Sequence, residues 1–316
     1  MTYIFIFILL FVVELAYFRI AEKYNIIDKP NERSSHSKVT LRGGGVVFYF
    51  GILVSFLLSG FEYSWFFAGI TLISIISLAD DIKIQSPILR LFTQFSALLI
   101  AFNQWPIFDY PWFVTIIALV LCAGILNAFN FMDGINGITG AYSSVVIGSL
   151  WYINSYVFEF VDNRFIYIVL LSLLVFNIFN FRKKAKCFAG DIGAISIAFI
   201  IVFLLGMLIA KTRDFTYIAL LLVYGVDSVL TIIHRIILKE NITQPHRKHL
   251  YQLLANELKN SQLLVSLCYA LLQILIFIGL IAFKQHSFLY IVGVSIILTV
   301  IYLALKRRYY HLHKIS

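Results

Sequence analysis

The chain has 316 residues, of which 61% are hydrophobic and 13% charged, with mean hydropathy +0.90 and a formal net charge of +9. A soluble domain carries roughly 25% charged residues, so a water-soluble globular fold is excluded, and the alternating segments of about ten residues expected of a membrane β-barrel are missing. The basic residues fall in short loops between apolar runs, which points to membrane topology and to anionic lipid or phosphate, with no nucleic-acid partner.

Apolar runs of about 18–20 residues recur from end to end, each long enough to cross a bilayer. They predict spans at 3–20, 43–60, 64–79, 88–103, 112–130, 137–155, 165–180, 192–210, 216–236, 263–283 and 287–305. The expected fold is an all-α polytopic membrane protein of about eleven helices (ten at the lower count), forming one domain over 1–316. The first run, Tyr3–Phe18, has no basic residue before it and no small-residue cleavage site after it, and reads as a retained helix. Cys122, Cys187 and Cys268 are scattered without metal-ligand spacing and read as reduced core or interface residues. Of the 25 lysines and arginines, 21 lie in the loops after odd-numbered spans or in the C-terminal tail. Only Arg164, Lys211, Arg213 and Lys284 lie on the opposite side. This bias predicts an outside N-terminus and a cytoplasmic C-terminus.

Five polar clusters fall on the side so assigned to the cytoplasm. Asp28–Lys38 leads into Thr40-Leu-Arg-Gly-Gly-Gly. Its serines, Arg33, His36, Lys38 and Arg42 suit phosphate or sugar, and its glycines open the second helix; an ordinary basic loop is the plain alternative. Asp80-Asp81 ends the third helix. Two carboxylates at a frayed terminus can share a divalent cation or supply a general base, and equally can be solvated acids. Asn127–Gly140 joins the fifth and sixth helices with three asparagines, Asp133 and three glycines, a donor and acceptor set suited to nucleobase, ribose or metal, or a plain connection. Phe188-Ala-Gly-Asp-Ile-Gly puts Asp191 at the start of the eighth helix, where it can hold Mg²⁺ beside amides that receive phosphate, or simply cap the helix. His246-Arg-Lys-His-Leu-Tyr-Gln combines two histidines with Arg247 and Lys248, a grip for pyrophosphate or a basic patch against anionic lipid. Glu14 is the one acid deep within a span and reads as a snorkelling or bundle-facing structural residue. Carboxylates, cations and amide donors confined to one membrane face suit a Mg²⁺-dependent reaction between a phosphorylated soluble donor and an acceptor anchored in the bilayer.

These stretches, in this order, resemble the polyprenyl-phosphate N-acetylhexosamine-1-phosphate transferases. The resemblance rests on Asp28-x-Pro-Asn-x-Arg-Ser-Ser-His with Arg42-Gly-Gly-Gly, on Asp80-Asp81 and on Asn127-Ala-Phe-Asn-Phe-Met-Asp-Gly-Ile-Asn-Gly. It extends to Phe188-x-Gly-Asp-x-Gly, Asp227 and His246-Arg-x-His-Leu-Tyr-Gln. The last of these is similar to the branch that initiates O-antigen and other surface polysaccharides, and it lacks the triple histidine of the peptidoglycan branch. The resemblance implies a multi-pass enzyme of the bacterial inner membrane with a cytoplasmic active site. Such an enzyme moves a sugar-1-phosphate from UDP-GlcNAc, UDP-QuiNAc or UDP-FucNAc to undecaprenyl phosphate and releases UMP. It implies Mg²⁺, with Mn²⁺ an alternative, held by Asp191 with Asp80, and Asp80 or Asp81 as the base. Asn130, Asp133 and Asn136 would line the nucleotide pocket with Phe188 against uracil, while Arg247, His249, His246, Arg33 and His36 would contact phosphate or sugar. A homodimer is compatible with it. Asn136 stands where many relatives carry aspartate, the proline common just upstream of Asp227 is missing, and His234 replaces an expected arginine. A transporter or flippase of polyprenyl-linked sugars is the alternative for so many helices, and an inactive membrane scaffold a third reading.

Overall fold

A computed structural model of the protein describes residues 1–28, 39–241 and 247–309. Among the described residues 79% are helical, with almost no sheet. The long helices are α1 (Thr2–Lys23), α2 (Val46–Leu58), α3 (Ser64–Ile82), α4 (Pro87–Phe102), α5 (Trp112–Met132), α6 (Ile138–Tyr156), α7 (Asn163–Asn180) and α8 (Gly190–Thr212). They continue with α9 (Leu222–Ile237), the short α10 (Leu250–Gln252), α11 (Gln262–Ala282) and α12 (Ser287–Tyr309). Each of the eleven expected spans overlaps one of these helices, the ninth starting in a 3-10 turn over Phe215–Leu221 before α9. Among the described residues, eight segments are both long and apolar enough to cross a membrane. α2 and α4 are shorter, and α6 carries Thr139, Ser143, Ser144, Asn154 and Ser155 among its apolar residues. The protein is an all-α polytopic membrane protein.

α8 is the axis of the bundle. It is apolar all round, and nearly all of it is buried, as expected of a helix enclosed by other helices. α2, α3, α5 and α6 pack around it. In lipid, tails are as apolar as leucine, so helices associate through close packing of small residues and a few hydrogen bonds. Both devices appear here. Ser74 of α3 and Ser196 of α8 pair their hydroxyls at 2.9 Å. Gly45, just before α2, meets Gly193 of α8 so closely that a Cβ on Gly45 would lie 2.1 Å from the Gly193 Cα. Those glycines bring helix to helix at the start of α2. Gly45→Ala is expected to cost about 1–3 kcal/mol through overpacking, visible as a lower melting temperature of the purified protein in detergent.

Successive helices run antiparallel, so the C-terminal ends of α1, α3, α5, α7, α9 and α12 share one end of the bundle with the N-terminal ends of α2, α4, α6, α8 and α11. That end carries the polar clusters. A two-stranded antiparallel ribbon pairs β1 (Ile27–Asp28) with β2 (Thr40–Leu41) there, and Leu41 also bridges Cys187 in parallel. Gly44 and Gly45 donate their N–H groups to the carbonyls of Phe188 and Ala189. This backbone weave fixes Arg42 beside the start of α8. Beneath it, the Tyr17 hydroxyl donates to the Arg42 carbonyl at 2.7 Å. Glu14 is fully buried and faces the bundle, 3.8 Å from the Cys187 thiol, which matches the structural role expected of it. All three cysteines are free.

Candidate active site

Three carboxylates meet at the N-terminus of α8. Asp81 is fully enclosed, and its two oxygens accept the backbone N–H groups of Asp191 (2.8 Å) and Ile192 (3.0 Å). The first amides of a helix have no partner within it, and here the end of α3 caps α8 across the bundle. Gly190 takes φ +72°, and a Cβ on it would lie 2.5 Å from Asp81 Oδ2; only glycine allows that approach. Asp80 points the other way. Its Oδ1 accepts the Gln85 N–H at 2.6 Å, closing the turn after α3, and its Oδ2 lies 3.3 Å from Arg90.

Two arginines bind the three acids together. Arg42 Nε is 2.6 Å from Asp81 Oδ1, and its Nη2 is 3.3 Å from Asp191 Oδ1. Arg90 reaches Asp80 at 3.3 Å and Asp191 at 3.5 Å. Burial works to lower the Arg42 pKa, and the Asp81 and Asp191 charges outweigh it and raise it. The contacts to Asp191 are longer than the roughly 2.7–2.9 Å of a tight charge-assisted hydrogen bond, and both arginines are about 30% exposed. Each guanidinium can therefore turn toward an incoming phosphate without leaving a buried charge unpaired. Arg90 counted only toward topology in the sequence. The available signal was its place in the first turn of α4, where a cation opposes the helix dipole unless anions stand nearby.

Asp133 follows α5, half-buried, and accepts the Thr139 hydroxyl at 2.6 Å. Burial, with the Asp81 charge adding to it, pushes its pKa up to about 6, against the pull of Thr139 and Arg42. Because the folded value lies above the unfolded one, this group destabilises the ionised fold increasingly as pH rises from about 4 through 6. Asp133→Asn is therefore expected to melt above the parent protein at pH 8, with the gain shrinking as pH falls toward 4. Equal gains at both pH values would contradict the burial of this charge.

The remaining predicted residues divide. Phe188 is half-buried, three residues before Asp191, and Asn130 is half-buried in the last turn of α5. Asn136 is buried and ties loops together: its Nδ2 donates to the Arg182 and Lys183 carbonyls, and its backbone N–H donates to Gln262. His249 is buried with Nδ1 3.4 Å from Asp227. Arg247 is half-buried, 3.9 Å from Glu257. Arg33, His36 and His246 lie outside the described residues.

Asp227 does for this segment what Asp81 does for α8. Its carboxylate accepts the Leu250 and Tyr251 N–H groups at 2.9 and 3.3 Å and the Tyr269 hydroxyl at 2.7 Å. Tyr251 in turn donates to the Phe131 carbonyl at 2.9 Å, and its hydroxyl lies where a Cβ on Gly134 would be. The Arg247–Gln252 segment thus joins the α5–α6 connection.

Among the described residues no group of three or more acids, histidines or cysteines is arranged to hold a metal. Asp191 and Asp80 nonetheless fit Mg²⁺, which is usually held by one or two carboxylates together with substrate phosphates. Asp81, with both oxygens occupied by backbone amides, fits less well.

The family profile described as Glycosyl transferase family 4 matches residues 63–209, which include all three aspartates and Asn127–Gly140. A Bacillus subtilis (strain 168) protein named probable undecaprenyl-phosphate N-acetylglucosaminyl 1-phosphate transferase is 26% identical over 254 residues, covering 74% of this chain and 70% of that protein. The Escherichia coli (strain K12) protein named undecaprenyl-phosphate alpha-N-acetylglucosaminyl 1-phosphate transferase is 25% identical over 262 residues, covering 75% and 71%. A Thermotoga maritima protein of that name is 25% identical over 299 residues, covering 88% and 89%. Across these residues the chain is similar to glycosyl transferase family 4 and to its polyprenyl-phosphate N-acetylhexosamine-1-phosphate transferases.

Proposed function

We propose that the protein transfers N-acetylhexosamine-1-phosphate from a UDP-sugar of the UDP-GlcNAc, UDP-QuiNAc or UDP-FucNAc type to undecaprenyl phosphate, giving undecaprenyl-pyrophosphoryl sugar and UMP. The reaction begins surface-polysaccharide or O-antigen synthesis on the cytoplasmic face of the bacterial inner membrane. The observation that carries this reading is the meeting of Asp80, Asp191, Arg42 and Arg90 at the N-terminus of α8. A helix N-terminus and two half-exposed guanidiniums receive phosphate, and carboxylates beside them receive a cation or a proton.

In this reading an oxygen of the lipid phosphate attacks the β-phosphorus of the donor. The bond from that phosphorus to the bridging oxygen breaks, and UMP leaves with the bonding electrons. Phosphoryl transfer of this kind needs positioning and charge neutralisation. Arg42 and Arg90 turn from Asp191 toward the pyrophosphate. Asp80, with one oxygen on the Gln85 N–H and the other facing Arg90 and no helix amide, takes the proton of the acceptor phosphate where it carries one. Asp191 and Asp80 would hold Mg²⁺, which supplies further neutralisation of the pyrophosphate when bound. Asp133 and Asn130 receive the nucleoside, and Phe188 offers uracil an aromatic face.

The test is UMP release by purified protein from a panel of UDP-N-acetylhexosamines with Mg²⁺, with and without undecaprenyl phosphate. Acceptor-dependent turnover with one member is expected. Stoichiometric UMP without acceptor, with label left on the protein, would replace direct attack by a covalent intermediate. No turnover with any donor, together with movement of lipid-linked sugar across vesicles, would replace the enzyme by a transporter.

A further inference from the structure

The two larger cavities lie away from the carboxylates. One of about 520 Å³ runs along α5 and α8, from the end of the bundle opposite the aspartates toward its middle. Its volume falls within the roughly 300–1,000 Å³ of small-molecule sites. Its walls are apolar, from Val114 to Ile125 on α5 and from Val202 to Ala210 on α8, with Arg213 the charged residue lining it. Several lining residues, Ile117, Tyr110 and Phe215 among them, are exposed, so the cavity opens sideways where the bilayer lies. The Trp105 ring forms part of the wall against Gly206, where a Cβ would lie 2.0 Å from the indole. Its buried N–H has no acceptor among the described residues.

Charge at this end singles out the same place. Four basic residues lie there, on the side where the topology disfavours them. Arg164 pairs with Asp162, and Lys284 pairs with Asp214. Lys211 and Arg213 make no ion pair among the described residues; both are exposed, and Arg213 lines the cavity with Lys211 two positions before it in the chain. Asp109, the acid in the neighbouring 106–109 turn, is not among the lining residues.

We infer that this cavity is a binding site for an anionic phospholipid of the surrounding bilayer. One acyl chain lies between α5 and α8, and the phosphate of the headgroup sits at Arg213 and Lys211. An apolar slot with a cation at its mouth matches the amphipathic shape of that ligand, and a lipid ester carbonyl would supply the acceptor that the Trp105 N–H lacks. This site is independent of the sugar-phosphate chemistry, and its test needs no turnover.

Delipidated protein in detergent is melted with dioleoylphosphatidylglycerol or dioleoylphosphatidylcholine at equal mole fraction. The anionic lipid is expected to raise the melting temperature by about 5 °C more than the zwitterionic one. The excess should vanish in the double variant Lys211→Gln/Arg213→Asn, in which asparagine tolerates the positive φ of position 213. It should vanish separately in Ala118→Phe, which fills the slot. Both variants should melt like the parent in the zwitterionic lipid; if one does not fold, the other decides. Equal effects of the two lipids on the parent, or an excess that survives in a folded variant, would overturn the site. So would protection by undecaprenyl phosphate that replaces the phospholipid and is lost in Ala118→Phe, or a dimer that dissociates in that variant, which would make this face an interface between copies.

Discussion

Asp191→Asn is expected to lower the turnover rate at least about 1,000-fold while leaving the melting temperature unchanged or slightly higher. The two effects separate because Asp191 takes part in charge organisation more than in folding. Its contacts to Arg42 and Arg90 are 3.3 and 3.5 Å, and both arginines keep a second carboxylate, Asp81 and Asp80 respectively. Removing the Asp191 charge therefore orphans neither cation, and it relieves like-charge crowding with Asp80. Preorganised charge in phosphoryl transfer is commonly worth factors of 10³–10⁵. UMP release and a melting curve on the same preparation decide the matter. A variant retaining more than a tenth of the parent rate would remove Asp191 from the centre of the reaction.

The adjacent aspartates should behave oppositely. Asp81→Asn is expected to destabilise the protein by about 3–5 kcal/mol, the usual cost of breaking a buried charge pair. The amide would keep one acceptor oxygen but turn its NH2 group toward the other of the two backbone donors, Asp191 or Ile192, and lose the charge that holds Arg42 at 2.6 Å. Asp80→Asn keeps an acceptor for the Gln85 N–H, so it should fold normally and lose activity. Melting temperatures of the two variants, measured beside their turnover, separate the roles. If Asp81→Asn melts with the parent, the capping of α8 by Asp81 is wrong.

Much of the architecture could be read along the chain. The apolar runs became helices because, with no water in the hydrocarbon, the backbone must satisfy its own hydrogen bonds, and composition alone then sets the periodic structure. Asp80-Asp81, Asp191 and Asp133 were legible as polar groups placed where an apolar chain tolerates them only at a functional surface. Adjacency in sequence, however, hid the division of labour between Asp80 and Asp81. Neighbouring side chains on a helix point about 100° apart, and only the packing of α3 against α8 shows which one meets the unpaired amides. For the same reason the partnership of Arg42, Arg90 and Asp191, spanning as many as 149 positions, has no local signature. Nor does the capping of the Leu250–Gln252 turn by Asp227.

The sequence by itself determined the class of molecule and the residue types available for chemistry, since each depends on hydropathy and composition over short windows. Tertiary structure alone decided which carboxylate caps and which stays available. It turned the glycines of Arg42-Gly-Gly-Gly into a helix contact and Asn136 into a loop tie, and it opened an apolar slot beside Arg213. Those outcomes depend on which helix faces meet, and that is a property of the whole bundle.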